Sequence, residues 1–314
     1  MAGKRIAIYD VDSAIPNLAL MKISAYHKQQ GDSVEMYSPL FKPEYDKVYA
    51  SKVFSFSDGS LLDPDTMEIG GTGYDLKAGL PSEIEAMQPD YSIYGYPHNI
   101  GFTMRGCRLK CSFCVVPEKE GKPKSAWTIP EIWQQRDSDF IVLLDNDFFG
   151  NPQWDARIQE ISDTGVRVNF SQGLNIRNLK PEQARAIASI RFSNINNTKK
   201  QIHFAWDDPR HEKLIMRGFD IAVAAGLKPW QMAFYVLIGY HSTHEQDLHR
   251  VSLLQELGCD PYVMPYNKSD PYQAAFTRWV NHKAIFNSVA WSDYGAGVKR
   301  RNINPNQIEM IELL

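Results

Sequence analysis

The stretch GFTMRGCRLKCSFCVVPEKEGK, residues 101–122, holds three of the four cysteines of this chain, Cys107, Cys111 and Cys114. Just before them, the apolar run IGFTM (100–104) has the pattern of a buried strand. The cysteines therefore lie in the loop that follows a strand. Clustered thiols of this kind belong to a disulfide framework, a zinc site or an iron-sulfur centre.

Cysteine number and spacing favour a metal centre. Four cysteines in 314 residues are too few for a disulfide scaffold. A closed zinc site needs a fourth Cys or His, yet the nearest candidate, His98, lies upstream, and we expect Cys259 to be a small buried core residue. Three thiolates leave one coordination position open, as in a [4Fe-4S] cluster that keeps one iron free for another ligand. The spacing favours such a cluster and leaves zinc open.

Composition narrows the class of protein. A hydrophobic content of 43% supports a sizeable core, and no apolar run approaches the length of a membrane span. The first residues, MAGKRIAIYDVDS, do not have the pattern of a secretory signal, so we expect a cytoplasmic protein. The net charge of −3 gives no general attraction to phosphate backbones, and nucleic-acid binding would need a local basic patch.

The first part of the chain predicts a small α/β domain. KRIAIYD (4–10) reads as a strand, residues 16–32 as a helix, and SVEMYS (33–38) as a second strand. DKVYASKVF and PDYSIY are candidates for further strands. Short connections between these runs indicate a parallel sheet, so residues 1–95 are predicted to form an open, Rossmann-like domain.

From residue 96 to 290, strands and helices are predicted to alternate regularly. Six apolar runs alternate with helical patterns: IGFTM (100–104), FIVLLD (140–145), VRVNFS (166–171), QIHFAW (201–206), MAFYVLIG (232–239) and PYVMPY (261–266). Such βα units predict a parallel sheet that is covered on both faces and curled into a partial (β/α)6 barrel. Functional residues are then expected at the carboxyl ends of the strands. Residues 291–314 are left as a C-terminal extension.

The cysteine motif resembles a known family. CRLKCSFC has the CxxxCxxC spacing, with the aromatic Phe113 before the third cysteine, and in this it is similar to radical S-adenosylmethionine (SAM) enzymes. The resemblance covers about residues 99–290. It implies that Cys107, Cys111 and Cys114 hold three irons of a [4Fe-4S] cluster while SAM chelates the fourth. An electron from a donor such as a flavodoxin or ferredoxin would then cleave SAM to methionine and a 5′-deoxyadenosyl radical that acts on a substrate.

The same resemblance implies roles for polar residues that follow the predicted strands. The family's SAM amino group is met after strand two, where this chain has Asp145, Asn146 and Asp147 but no GGE sequence. Of the two carboxylates, Asp145 and Asp147, we expect one to face SAM. The other candidates for SAM binding, in chain order, are Ser171, Gln172, Asp207, Arg217, Gly239 and Met264.

The first domain resembles, more weakly, the B12-binding domain that precedes the barrel in some radical SAM proteins. The DxHxxG element that carries the lower cobalt ligand is absent, since DVDSAIP follows the first strand and His27 lies in a helical pattern. We therefore expect no cobalamin, and a vestigial or substrate-covering role for this domain.

Three classes of function stay open at this stage. The first is a radical SAM enzyme with an unidentified substrate, and the second is a version that modifies RNA or a peptide. Basic residues around the cysteines would attract an anionic substrate or an acidic electron donor; they are Arg105, Arg108, Lys110, Lys119, Lys122 and Lys124. The third class is a non-enzymatic iron-sulfur or zinc protein that binds a partner.

Overall fold

The computed structural model describes residues 3–295. The strands are β1 (Arg5–Asp10), β2 (Ser33–Met36), β3 (Lys47–Ser51), β4 (Met67–Gly70), β5 (Asn99–Gly101), β6 (Met104–Arg105), β7 (Lys124–Ser125), β8 (Phe140–Leu143), β9 (Arg167–Phe170), β10 (Arg191–Phe192), β11 (Ile202–Ala205), β12 (Met232–Ile238) and β13 (Asp260–Pro265).

The α-helices are α1 (Leu18–Gln29), α2 (Ser82–Glu85), α3 (Val116–Lys119), α4 (Ile129–Ile132), α5 (Trp154–Thr164), α6 (Pro181–Ser189), α7 (Glu212–Ala224), α8 (His244–Glu256), α9 (Pro271–Asn281), α10 (Lys283–Phe286) and α11 (Trp291–Gly295). Short 3₁₀ helices span Pro39–Glu44, Tyr91–Ile93, Phe148–Gly150, Ile176–Asn178, Pro209–His211 and Pro229–Gln231.

The described residues divide into two compact units. The first contains residues 3–99 together with 115–121, and the second contains 100–114 together with 122–295. The segment directly after Cys114 thus belongs to the first unit, where the Lys119 ammonium donates to the carbonyls of Leu76 and Ala78 at 3.3 and 3.2 Å. No helix among residues 3–295 is long and apolar enough to cross a membrane.

The first unit is built on a parallel four-stranded sheet in the order β2-β1-β3-β4. Strand β1 lies inside it because Ile6, Ala7 and Ile8 are completely buried. Helix α1 begins where the Asn17 side chain accepts hydrogen bonds from two free backbone N–H groups. The predicted strand, helix, strand order is confirmed. PDYSIY is the exception, because Asp90 accepts from the Ser92 N–H and closes a 3₁₀ turn there.

The second unit contains the six strands predicted after residue 96 and a further short strand, β10, that was not predicted. They form two sheets, β10-β9-β8-β5 and β11-β12-β13, whose neighbours are consecutive or nearly so along the chain. The strand pairs β9–β10, β8–β9, β11–β12 and β12–β13 are parallel. A single parallel bridge between Leu174 and Phe204 joins the sheets. The α/β class with parallel sheets is confirmed, and the described strands do not close into a barrel.

Side-chain alternation gives the sheets of the second unit two different faces. Ile202, Phe204 and Trp206 are buried and belong to a large apolar cluster that also includes residues of α7 and α8. The residues between them, His203, Ala205 and Asp207, lie on the other face. One face is therefore covered by helices, while the other carries polar groups.

Of the predicted C-terminal extension, residues 291–295 are helical, and Trp291 packs against the apolar cluster of the second unit. Residues 296–314 lie outside the described part of the chain.

Candidate functional site

The cysteine loop starts and ends in a short two-stranded ribbon. Strands β6 and β7 pair antiparallel, with Met104 opposite Ser125 and Arg105 opposite Lys124. Within the loop, the Cys114 N–H donates to the Cys111 carbonyl at 3.0 Å. The Leu109 N–H donates to the Cys107 sulfur at 3.4 Å. The backbone therefore folds tightly around the three thiols, which are partly buried.

The electrostatics of the loop keep Cys107 protonated in the absence of a metal. Burial raises the pKa of the Cys107 thiol to about 11, and the nearby Asp147, Cys114 and Cys111 add to the rise, while the Leu109 N–H opposes it. A metal ion reverses this preference, because a coordinating thiol loses its proton.

The donor chemistry suits an iron-sulfur cluster, since three thiols lie on one loop beside a strand end. Their side chains do not yet converge, because no group of three or more His, Cys, Asp or Glu side chains among residues 3–295 is arranged to hold a metal ion. Ligation would require the thiol side chains to turn toward a common centre.

Asp145 anchors the chain just before the cysteine loop. Its carboxylate, which is 4% exposed, accepts hydrogen bonds from the Thr103 N–H at 2.7 Å, the Met104 N–H at 3.3 Å and the Thr103 hydroxyl. These bonds join the end of β8 to the segment that follows β5. The Asp145 carboxylate thus accepts hydrogen bonds from the protein itself and holds the segment that leads into the cysteine loop.

Asp147 anchors the loop from inside. The carboxylate is 2% exposed and forms a bidentate ion pair with Arg108, with Nε–Oδ2 at 2.6 Å and Nη2–Oδ1 at 2.8 Å. Gly150 makes room for this pair, because a Cβ there would lie 2.4 Å from Asp147 Oδ2. Asp145 and Asp147 are two positions apart, so a continued strand would turn both carboxylates to one face. The chain instead leaves β8 at Leu143, and both carboxylates are buried against other residues of the protein. Asn146, between them, is partly buried.

Asn151 is a third support, and the sequence did not suggest this role for it. Its side chain is 1% exposed, donates to the Thr103 carbonyl at 3.0 Å and accepts from the Ser125 hydroxyl at 2.9 Å. Both strands of the ribbon that frames the cysteine loop are thereby tied to the segment after β8.

An aromatic contact joins the loop to the ends of two other strands. Phe113 packs edge-to-face on Tyr240, with ring centroids 5.6 Å apart, and the Tyr240 hydroxyl donates to the Ser112 hydroxyl at 2.8 Å. Tyr240 follows β12 and also packs on Tyr266, which follows β13, at 4.7 Å. The cysteines therefore lie at the same edge as the carboxyl ends of β8, β12 and β13. Sequence analysis had singled out Phe113 but not its partner Tyr240.

Among the predicted site residues at the strand ends, Asp207, which follows β11, is the one whose pKa is shifted toward neutral pH. Burial raises its pKa to about 6, opposed by the positive charges of Arg177 and Arg250. It makes no hydrogen bond with the other described residues. A partly buried carboxylate that titrates near neutral pH at a strand end is a candidate acceptor for a ligand.

Arg250 organises the rim beneath Asp207. Its guanidinium is fully buried, pairs with Asp247 at 2.7 Å, and donates to the carbonyls of Trp206 and Leu237, each at 2.9 Å. Those carbonyls follow β11 and end β12, so Arg250 fixes the ends of two strands. The sequence analysis missed it because an Arg in an amphipathic helix looks like a surface residue.

The remaining predicted SAM-binding residues are spread along the same edge. The Ser171 hydroxyl donates to the Leu143 carbonyl at 2.9 Å, Gln172 is exposed, and Met264 is partly buried in β13. Gly239 has a φ of +77°, and a Cβ there would lie 2.2 Å from the Gln273 amide, so packing against that side chain already requires glycine. Arg217 is exposed on α7 and donates to the Arg177 carbonyl at 3.0 Å.

The face opposite the helix-covered one carries a polar, uncharged lining. His203 stacks on Tyr235 with centroids 4.9 Å apart and an interplanar angle of 10°. Burial lowers the pKa of His203 to about 4 and raises that of Tyr235 to about 12, so both are neutral at pH 7. His203 Nδ1 is buried without a hydrogen-bond partner among the described residues, and so is Asn169 Oδ1 in β9.

Comparison with protein-family models finds no match for this chain. A comparison with curated proteins also finds none. The function therefore has to be argued from the residues and their geometry alone.

Proposed function

We propose that this protein is a radical SAM enzyme whose [4Fe-4S] cluster is held by Cys107, Cys111 and Cys114. The cysteine spacing carries the proposal, and its position supports it: the loop stands at the carboxyl edge of consecutive parallel strands, where such enzymes work. When bound, the cluster would pass one electron to SAM, whose S–C5′ bond breaks to give methionine and a 5′-deoxyadenosyl radical that takes hydrogen from the substrate.

In this proposal, the second unit is a partial barrel of the radical SAM type. The consecutive order of its parallel strands and the Leu174–Phe204 bridge between its two sheets support that assignment. The first unit, with its β2-β1-β3-β4 parallel sheet, corresponds to the Rossmann-like domain, and we do not assign cobalamin to it. A cytoplasmic location and an acidic electron donor of the flavodoxin or ferredoxin kind complete the proposal.

The protein's own residues would perform two tasks. Asp145, Asp147 and Asn151 hold the cysteine loop in place, and Phe113 with Tyr240 covers its outer side. Rim groups such as Asp207 would orient SAM, because a carboxylate acceptor suits hydroxyl or ammonium donors.

The substrate would meet the polar lining formed by the stacked rings of His203 and Tyr235. Because both titratable members are neutral at pH 7, this lining suits an uncharged group that forms hydrogen bonds.

The test is anaerobic reconstitution with iron and sulfide, followed by incubation with SAM and dithionite. Mass spectrometry should detect 5′-deoxyadenosine in the native protein and none in Cys111→Ala. The reconstituted protein should absorb near ~400 nm and lose that band on reduction, as cysteine-ligated iron-sulfur centres do. A colourless protein that binds zinc instead, or a cluster that never cleaves SAM, would support the non-enzymatic alternative and overturn the proposal.

A further inference from the structure

A basic cavity lies at the opposite edge of the second unit from the cysteines. It has a volume of about 330 Å³ and is lined by four cationic side chains, Arg167, Arg191, Lys199 and Lys200. No acidic side chain of the described residues lines it. Arg167 begins β9 and Arg191 begins β10, so the cavity is at the amino ends of these strands, whereas the cysteines lie near the carboxyl ends.

The positive charges that line the cavity repel one another. Arg167 and Arg191 are direct partners on neighbouring parallel strands, an arrangement that destabilises a sheet when the charges are alike. One carboxylate offsets part of this, because Arg191 pairs with Asp139 at 2.8 Å in an exposed ion pair. The Arg167 guanidinium donates to the neutral Asn197 side chain at 2.7 Å and pairs with no carboxylate of the described residues.

The two lysines add charge that the described residues do not balance. Lys199 and Lys200 are exposed, and neither forms an ion pair with a described residue. The Lys200 ammonium lies 5.4 Å from the ring of Phe192, which is buried at the cavity wall. Of the four cationic side chains, one, Arg191, is paired with a carboxylate of the described residues. This local excess of positive charge contrasts with the net charge of −3 of the whole chain.

The loop that carries the lysines is held in one conformation. The Asn194 side chain accepts from the backbone N–H groups of Thr198 and Lys199 at 2.8 and 3.0 Å, and the Ser193 hydroxyl donates to the Lys199 carbonyl at 2.8 Å. Asn197 takes a φ of +53°, which an asparagine adopts more readily than most residues. A loop fixed in this way loses little entropy when it binds a ligand.

We propose that this cavity binds a phosphate group, supplied either by a small phosphoester or by a single-stranded RNA. Two arginines offer the planar donors that match phosphate oxygens, and the lysines add mobile point charges. The volume is that of a site for a small ligand or one nucleotide unit. The inference does not depend on radical chemistry, because the cavity and the cysteine loop are at different edges of the sheets.

The experiment uses the full chain and two probes. Calorimetry with inorganic pyrophosphate and fluorescence anisotropy with a short labelled RNA would be measured for the native protein and for Lys199→Ala/Lys200→Ala. The control is Arg185→Ala/Lys213→Ala, which removes the same charge from exposed positions of α6 and α7, where neither side chain forms an ion pair with another described residue. Circular dichroism would check that all three proteins are equally folded.

We expect the cavity variant to bind about tenfold more weakly or worse, and the control to keep the native affinity. For RNA, the slope of log affinity against log salt should fall by about 1.4 in the cavity variant, about 0.7 for each lysine contact to a single strand. Binding of pyrophosphate would identify a small phosphoester as the ligand, and binding of RNA alone would identify the nucleic acid. No binding of either probe, or equal losses in both variants, would overturn the proposal.

Discussion

Replacement of Asp145 by Ala is expected to loosen the cysteine loop rather than only to remove a ligand contact. The carboxylate is 4% exposed and accepts from two backbone N–H groups and one hydroxyl, all in residues 103 and 104. With alanine, these buried donors lose their acceptor. Loss of one partner of a buried charged network costs roughly 3 to 5 kcal/mol.

The isosteric change separates charge from shape. Asp145→Asn keeps an oxygen acceptor for the backbone N–H groups, and the Thr103 hydroxyl can turn to accept from the new amide, so we expect a cost of about 1 to 2 kcal/mol. Both variants would be unfolded in urea beside native protein, and iron would be measured after anaerobic reconstitution. We expect the order of iron content to be native, Asn and then Ala.

Asp220→Ala is the matched control, because Asp220 is exposed on α7 and its side chain makes no hydrogen bond with another described residue. It should unfold at the native urea concentration and retain native iron. If Asp145→Ala unfolds with the same midpoint as this control and binds a full complement of iron, the anchoring role inferred from the hydrogen bonds is refuted.

Three further outcomes follow from the site. Cys259 is 7% exposed in the apolar cluster, so Cys259→Ala should keep the native iron content, whereas Cys111→Ala should lose it; equal losses would contradict a three-cysteine site. Arg250→Met should lower the free energy of unfolding by about 3 to 5 kcal/mol in urea, because Asp247 stays buried without its cation, whereas the exposed Arg185→Met should change it little. Burial raises the pKa of Asp207 to about 6, so ionisation of this carboxylate lowers the free energy of unfolding as pH rises from about 4 to above 6. Asp207→Asn should therefore have a free energy of unfolding about 2 kcal/mol above that of native protein at about pH 8, and the same value near pH 4. A difference that does not depend on pH would contradict this.

The strands were predictable because their signal is local. Runs such as MAFYVLIG become buried strands wherever enough apolar surface is covered, and β12 spans Met232–Ile238 as expected. Strand β10 was missed, because two residues give no period to detect. PDYSIY was misread as a strand because Asp90 can accept a hydrogen bond from a residue two positions ahead, and this local bond outweighs the β-propensity of its aromatic residues.

The site was predictable only in part, for a related reason. Cysteine spacing is a local property, so the loop could be found directly. The partners of Asp145, Asp147 and Arg250 lie across the fold, and sequence alone does not tell whether a carboxylate faces a ligand or a neighbouring N–H. Tyr240 and Asn151 act through contacts with residues far away along the chain, which no periodic pattern reveals.

Substitution of Arg108 tests whether Asp147 can also bind the ammonium group of SAM. The Asp147 carboxylate already holds a guanidinium through two charged hydrogen bonds, so an ammonium at the same oxygens would exchange one cation for another with little net gain. If Asp147 acts only by holding Arg108, then Asp147→Ala, Arg108→Ala and the double variant should lose iron and SAM affinity to the same extent, because the second change removes nothing more. If Asp147 contacts SAM directly, Arg108→Ala frees the carboxylate and should preserve or strengthen SAM binding, measured by calorimetry on cluster-loaded protein, while Asp147→Ala abolishes it. The bidentate geometry leads us to expect equal losses in all three variants.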